Sequence, residues 1–319
     1  MPEYNVDNYL TWGSEIHDLI ENDLRTVCLP NTKIIDVVKF IEMKINDYCV
    51  QYLKDHNINI ECGSAFPVGI NINNVAAHWT PLENDMTRIM HDDVVKLDYG
   101  IHFDGYILDS AFTFAYNKKY INLIECNINA CQKAAIMAKY NVPIFDISTC
   151  ISDEIQKYGF NTIKDICGHQ IKPYKIHAGF PIPNFKLDLK IKFNKGDIFA
   201  IEPFVTNGNG ITFKNMNDVS HYMFNYLKYD FNKISKKKIL TETIKKYKTL
   251  AFNYRHIVDT ESINLLKILT SKNIYEKYPP ITENMQSQIS QFETTVYIKS
   301  ETETINYKKH QSVEKYILC

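Results

Sequence analysis

The feature that most restricts how this 319-residue chain folds is a pair of aspartates, Asp98 and Asp109, eleven residues apart in an apolar stretch. Between them lies Asp104-Gly105, a strong two-residue hairpin turn signal. Taken literally, that turn pairs Tyr106 with Phe103 and Ala111 with Asp98. Asp109 then sits diagonally from Asp98 on the same face of the ribbon. A turn shifted by one residue on each side would place them directly opposite. Two carboxylates on one half-buried face repel and raise each other's pKa unless a cation lies between them. The pair therefore points to a metal.

At 45% hydrophobic and 13% aromatic residues, the chain can bury a large core. We expect one domain over 1–319, carrying a helical insertion at 222–278. Lys+Arg 36 against Asp+Glu 37 leaves a formal charge of -1, so no global field favours DNA or an anionic membrane. Eight cysteines without a C-x-x-C pair predict reduced, mostly buried thiols. No apolar signal region opens the sequence and no run approaches the length of a membrane span. These traits predict a soluble, cytoplasmic monomer.

Residues 7–56 read as two helices broken at Leu29-Pro30, the second capped by Thr32. Strands follow at 65–71, 94–99 and 106–114, then helices at 122–140 and 147–158, the latter with Asp146 as cap. Short strands are expected at 164–171, 174–178 and 197–205, a Lys-rich helical block at 232–277, and a final strand at 291–298 before a polar tail. Helices and hairpins in separate blocks predict an α+β fold.

Four more residues join the aspartates. Glu202 and Glu293 are carboxylates within otherwise apolar strands, and His169 and His177 lie eight residues apart. A lone carboxylate on a strand is more often a solvated edge residue, and a lone histidine more often a bonded core residue. Four carboxylates and an imidazole together form an expensive set of buried groups without a cation. Oxygen-rich ligands with one nitrogen suit Mn, Fe, Co, Zn or Mg, and bridging carboxylates suit two ions. The chain has no H-E-x-x-H and no G-x-S-x-G, and Gly208-Asn209-Gly210 reads as a turn, not a phosphate cradle. The lysines 233, 236, 237, 238, 245, 246 and 248 are compatible with ribosomal RNA contact, although a solvated helix face explains them more simply.

The order Asp98, Asp109, Gly168-His169, Ile201-Glu202-Pro203-Phe204, Gln291-Phe292-Glu293 resembles the methionine aminopeptidases, and more closely their type 2 branch. Ala65-Phe66-Pro67, Ala76-Ala77-His78-Trp79-Thr80-Pro81, Ser220-His221-Tyr222-Met223, Leu250-Ala251-Phe252 and Tyr278-Pro279-Pro280 match that branch in order. The resemblance spans about residues 10–300 and implies a pita-bread fold, a curved antiparallel sheet flanked by helices. It also implies removal of the N-terminal methionine from nascent proteins with a small second residue. Asp98, Asp109, His169, Glu202 and Glu293 would hold two divalent ions (Mn, Co, Fe or Zn), with Asp109 and Glu293 bridging, Asp98 on one ion and His169 with Glu202 on the other. A hydroxide between the ions would attack the first peptide bond, and Glu202 would carry the proton to the leaving amine. His177 would bind the substrate backbone, and His78 would face the reacting centre and take up fumagillin-type epoxides. Phe66, Ile176, His221, Ala251 and Tyr278 would form the methionine pocket. The partners implied are the N-termini of nascent polypeptides and, through the lysine block, the ribosome.

Cys167 departs from the family, which usually has Asn there. Trp79 replaces a Tyr, and Pro173 interrupts the segment between the two histidines. The alternatives are a catalytically dead module of the same fold and a proline-specific peptidase sharing the five ligands. Retention of all five ligands argues against the first, and the insertion and the short N-terminal segment against the second.

Overall fold

The computed structural model describes residues 4–236 and 240–318. The chain opens with α1 (Val6–Leu24) and α2 (Ile34–Asp55), then β1 (Cys62–Ser64), β2 (Gly69–Ile72) and β3 (Val75–Ala77). The long hairpin β4 (Val94–Phe103) and β5 (Tyr106–Ala115) follows, then a second helix pair, α3 (Ile121–Met137) and α4 (Ile144–Lys157). Short strands come next: β6 (Asn161–Thr162), β7 (Gly168–Ile171), β8 (Pro181–Ile182), β9 (Ile198–Ile201), β10 (Phe204–Thr206), β11 (Phe213–Lys214) and β12 (His221–Phe224). Beyond β12 lie α5 (Phe231–Lys236), α6 (Glu242–Lys245), β13 (Phe252–Asn253), α7 (Thr260–Ser271) and β14 (Tyr275–Tyr278). The last strands are β15 (Ile281–Thr282), β16 (Ile289–Gln291), β17 (Thr294–Ile298) and β18 (Thr304–Asn306).

The hairpin takes the literal register: Phe103 pairs with Tyr106, Asp98 with Ala111 and Gly100 with Asp109. Asp104 and Gly105 both adopt positive φ, 48° and 81°, as this two-residue turn requires. β1 and β2 share the other edge of β4. In the C-terminal half the strand order is β18-β17-β9-β7-β8, beside a smaller sheet in the order β16-β10-β6. Each half pairs two helices with a sheet. Ile16 and Ile20 of α1 and Val38, Ile41 and Ile45 of α2 pack with Leu97, Tyr99 and Ile101 of β4. Alternation along β4 then turns Lys96 and Asp98 to the opposite face. In the second half Ala130 and Ala134 of α3 and Ile147, Ile151 and Ile155 of α4 pack with Phe199, Ile201, Val205 and Val296.

Several expectations are revised. Lys33, not Thr32, is the N-cap of α2, and Asp146 lies within the first turn of α4, which starts at Ile144 after Pro143. Segment 174–178 is a turn, with Tyr174 at φ 59°, because Lys172 bridges back to Lys175. The 232–277 block is not continuous helix. It holds α5, α6 and α7 with β13 between them and returns as β14, around a small core of Phe224, Ile244, Phe252, Leu266 and Tyr275. Lys237 and Lys238 of the lysine run lie outside the described residues, as do Met1, Pro2 and Cys319. Cys49 and Cys62 are paired as a disulfide, against the expectation of free thiols, because α2 packs on β1 and brings their Cα atoms to 5.8 Å. Nor is the end a solvated tail: Lys308, His310, Val313 and Tyr316 are buried. Among the described residues no helix is long and apolar enough to cross a membrane.

Candidate metal centre

Two strand breaks build the site. The expected strand 197–205 stops at Ile201 and resumes at Phe204, because Pro203 has no N–H to donate to a ladder. The expected strand 291–298 is likewise interrupted at Phe292 and Glu293, where the Glu293 N–H leaves its sheet and donates to the Ala111 carbonyl of β5 (2.9 Å). Both glutamates thus sit where the backbone changes partner, and both converge on the aspartate face of the hairpin. His169 comes from β7, which reaches this depth because residue 168 is glycine. A Cβ there would stand 2.3 Å from the Ala200 carbonyl oxygen.

The ligand atoms fall into two groups, each within 4.8 Å: Asp109, His169 and Glu293, and Asp98, Glu202 and Glu293. Glu293 is common to both. This partition places Glu202 with Asp98, whereas the resemblance places it with His169. The reason is Gln291, whose Nε2 donates to Asp98 Oδ2 at 3.0 Å and to Glu202 Oε1 at 2.8 Å, drawing the two acids together. Sequence reasoning noted Gln291 only as a letter in a motif; nothing marked it as a clamp. Thr295 was missed as well. Its hydroxyl donates to the Asp109 carbonyl and accepts from the Asp109 N–H, both at 2.8 Å, fixing β5 against β17.

No lysine or arginine pairs with any of the four acids among the described residues; only His169 Nε2 approaches Asp109, at 3.5 Å. Burial raises all four carboxyls, and mutual repulsion adds to it for Asp109, Glu202 and Glu293. Asp98, which borders the cavity and accepts from Gln291, is pushed up to about 6. Burial drives His169 the other way, down to about 4, so its imidazole is neutral and free to ligate. Asp98 Oδ1, Asp109 Oδ1, Glu293 Oε1 and His169 Nδ1 are buried without a hydrogen-bond partner. Buried oxygens without donors, beside a neutral imidazole, fit divalent cations well.

The cluster floors a cavity of about 1160 Å³, which brings together every site residue expected from the sequence: the four acids and His169, with Phe66, His78, Ile176, His177, His221, Ala251 and Tyr278. His221 and Tyr278 face each other across the β12–β14 ladder. His78 and Tyr278 meet edge to face, with ring centroids 5.5 Å apart, and His177 lies against His169 at 4.5 Å. His78 holds a left-handed φ of 65°, costly for a non-glycine residue. Phe66 reaches the wall only because residue 100 is glycine; a Cβ there would lie 2.3 Å from the ring. The His177 N–H donates to the Tyr226 hydroxyl at 3.0 Å, tying this wall to the 222–278 segment. Cys167 also lines the cavity, and burial and the nearby Glu202 push its thiol up to about 11.

Residues 14–221 match the model of metallopeptidase family M24. Methionine aminopeptidase 2A of Arabidopsis thaliana is 33% identical, covering 92% of this chain and 68% of its own. A methionine aminopeptidase of Thermococcus kodakarensis is 32% identical, covering 91% and 95%. Among solved structures, a thermophilic Arx1 superposes with a TM-score of 0.80 at 15% identity over 98% of this chain and 94% of that one. A methionine aminopeptidase from Thermotoga maritima gives 0.64 at 18% over 94% and 95%. At these identities the structural likeness speaks for the pita-bread fold alone.

Proposed function

The chain belongs to metallopeptidase family M24, among the methionine aminopeptidases, and on that premise we propose that it removes the N-terminal methionine from nascent polypeptides whose second residue is small. The observation that carries this reading is the convergence of four acids and a neutral histidine, with unpartnered oxygens, at the floor of a cavity with an aromatic and aliphatic wall. Asp98, Asp109, His169, Glu202 and Glu293 would hold two divalent cations, Glu293 being common to both groups of ligand atoms. When bound, the cations supply Lewis acidity to the scissile carbonyl and bring the pKa of water towards neutrality.

The protein's own groups do the rest. Gln291 occupies Glu202 Oε1, which leaves Oε2 to take the proton from water and pass it to the leaving amine. His78, neutral because burial pulls it down to about 4, donates towards the tetrahedral oxygen, while His177 orients the substrate backbone. Phe66, Ile176, His221, Ala251 and Tyr278 enclose the methionine side chain. Segment 222–278 acts as an insertion that supplies the last of these, Ala251 and Tyr278. A binding module that had shed its catalytic ligands would have no use for four acids facing one cavity.

Mass spectrometry of Met-Ala-Ser and Met-Lys-Ser peptides, incubated with protein loaded with Mn or Co, tests the proposal. We expect free methionine from the first and none from the second. Equal cleavage of both would indicate a general aminopeptidase, and cleavage of neither a non-catalytic protein.

A further inference from the structure

Thr80 stands behind His221 and is buried, 1% exposed. Its Oγ1 lies 2.7 Å from the Val68 carbonyl oxygen and 2.6 Å from His221 Nε2. A hydroxyl has a single proton, and a carbonyl offers only lone pairs. Were the proton turned to His221, two oxygens would face each other lone pair to lone pair at 2.7 Å. The proton therefore goes to Val68, and Thr80 presents a lone pair to the imidazole. His221 Nε2 must then be the protonated nitrogen. Burial pulls this imidazole down to about 3, so the ring carries no second proton. The other nitrogen, Nδ1, has no hydrogen-bond partner among the described residues, on a side chain that lines the cavity.

We propose that Thr80 is a positioning residue that locks His221 in the Nε2–H tautomer, making this stretch of the cavity wall acceptor-only and so excluding first residues whose side chain ends in an acceptor oxygen. The substrate half of the inference rests on the function proposed above. A thioether is tolerated beside a bare Nδ1, since it needs no hydrogen bond there. The sulfoxide of an oxidised methionine brings an oxygen lone pair against the nitrogen lone pair of a side chain that is itself only 6% exposed. The lock thus discriminates between reduced and oxidised N-terminal methionine. If the ring were free to turn its proton to Nδ1, it would donate to that oxygen instead.

Long-range ¹⁵N–¹H correlation spectra of the full chain, with His221→Asn to assign the resonance, report the tautomer directly. Wild type and Thr80→Ser should carry the proton on Nε2, and the isosteric Thr80→Val should lose that preference. In parallel, the ratio of kcat/KM for a methionine-sulfoxide peptide over its methionine counterpart should rise about tenfold in Thr80→Val and stay unchanged in Thr80→Ser, the scale expected when an unsatisfied buried polar group regains a partner. A wild-type proton on Nδ1 overturns the inference, as does an unchanged ratio in Thr80→Val or a Thr80→Ser that behaves like it. Cleavage of neither peptide by wild type would remove the proposed function and the selectivity with it, while the spectra would still decide the lock.

Discussion

Two clusters of buried charge sit on opposite faces of β4, and they resolve the same problem in opposite ways. On the helix face, His17 stacks on Tyr99 with ring centroids 4.1 Å apart, and Glu21 is buried beside it. Burial alone would raise the Glu21 carboxyl. Lys308 at 2.5 Å and Lys315 at 2.6 Å outweigh it and pull the group down to about 2. On the other face, Asp98, Asp109, Glu202 and Glu293 have no ammonium partner among the described residues, and all four are raised. His17, Asp18 and Glu21 are as close to one another as the acids of the metal centre, each set within 4.8 Å. Proximity of ligand-type atoms is thus not what distinguishes a metal site. The distinction is whether the protein supplies its own cation.

Substitutions on the two faces should diverge. The largest effect is expected at Glu293→Gln, which should lower turnover by more than about a hundredfold and reduce metal content, since even outer partners of metal ligands commonly cost that much. The same change should raise the melting temperature of the chelator-treated protein, because it removes an uncompensated buried charge. Elemental analysis showing full metal content, with activity retained, would end the two-metal reading.

Lys308→Met should do the reverse, costing about 3 kcal/mol in urea unfolding and leaving metal content intact, because it strips a partner from a buried carboxylate. A neutral result would mean that Lys315 alone compensates Glu21. Next in size, a divalent cation at a hundred times its dissociation constant should stabilise wild type by about 2.7 kcal/mol. In thermal melts, Glu293→Gln should gain much less.

The smallest effect is on pH dependence, and its sign differs between the faces. Glu21 has a folded pKa of about 2 against an ordinary 4.5. Its contribution to stability is therefore complete above pH 4.5 and is lost as pH falls towards 2. Asp98, raised from 3.8 to about 6, binds its proton more tightly in the folded metal-free protein, so stability should fall as pH rises through that window. Melts of chelator-treated Glu21→Gln and Asp98→Asn across pH 2–7 would separate the two slopes. Parallel slopes would contradict the comparison.

The hairpin register was legible because Asp104-Gly105 admits few turns, and the four acids were legible because carboxylates on apolar strands conflict with burial, whereas the choice of His169 over His177 came only from the family resemblance. Glu21 and its lysines were not. α1 reads as an ordinary amphipathic helix, and Lys308 and Lys315 lie in a segment whose polarity suggests a solvated tail. Only tertiary packing, nearly 300 residues away in sequence, turns them inward. Gln291 escaped for a related reason: an amide that clamps two acids has no periodicity to betray it. The break at Glu202-Pro203 was readable in principle from the proline, whereas the one at Phe292-Glu293 depends on β5 offering the Ala111 carbonyl.

That last hydrogen bond carries a consequence for timing. Synthesis delivers Asp98 early and Glu293 195 residues later, an interval of about 10–40 s at ordinary elongation rates. Throughout it the hairpin has its two aspartates but lacks the strand that completes their surroundings. On the proposed ligand set a partial chain should therefore be inert rather than a weaker enzyme, releasing no methionine until its own C-terminal strands have docked. Activity becomes a report of completed assembly, which makes metal uptake during refolding a natural clock for the closing of the last sheet.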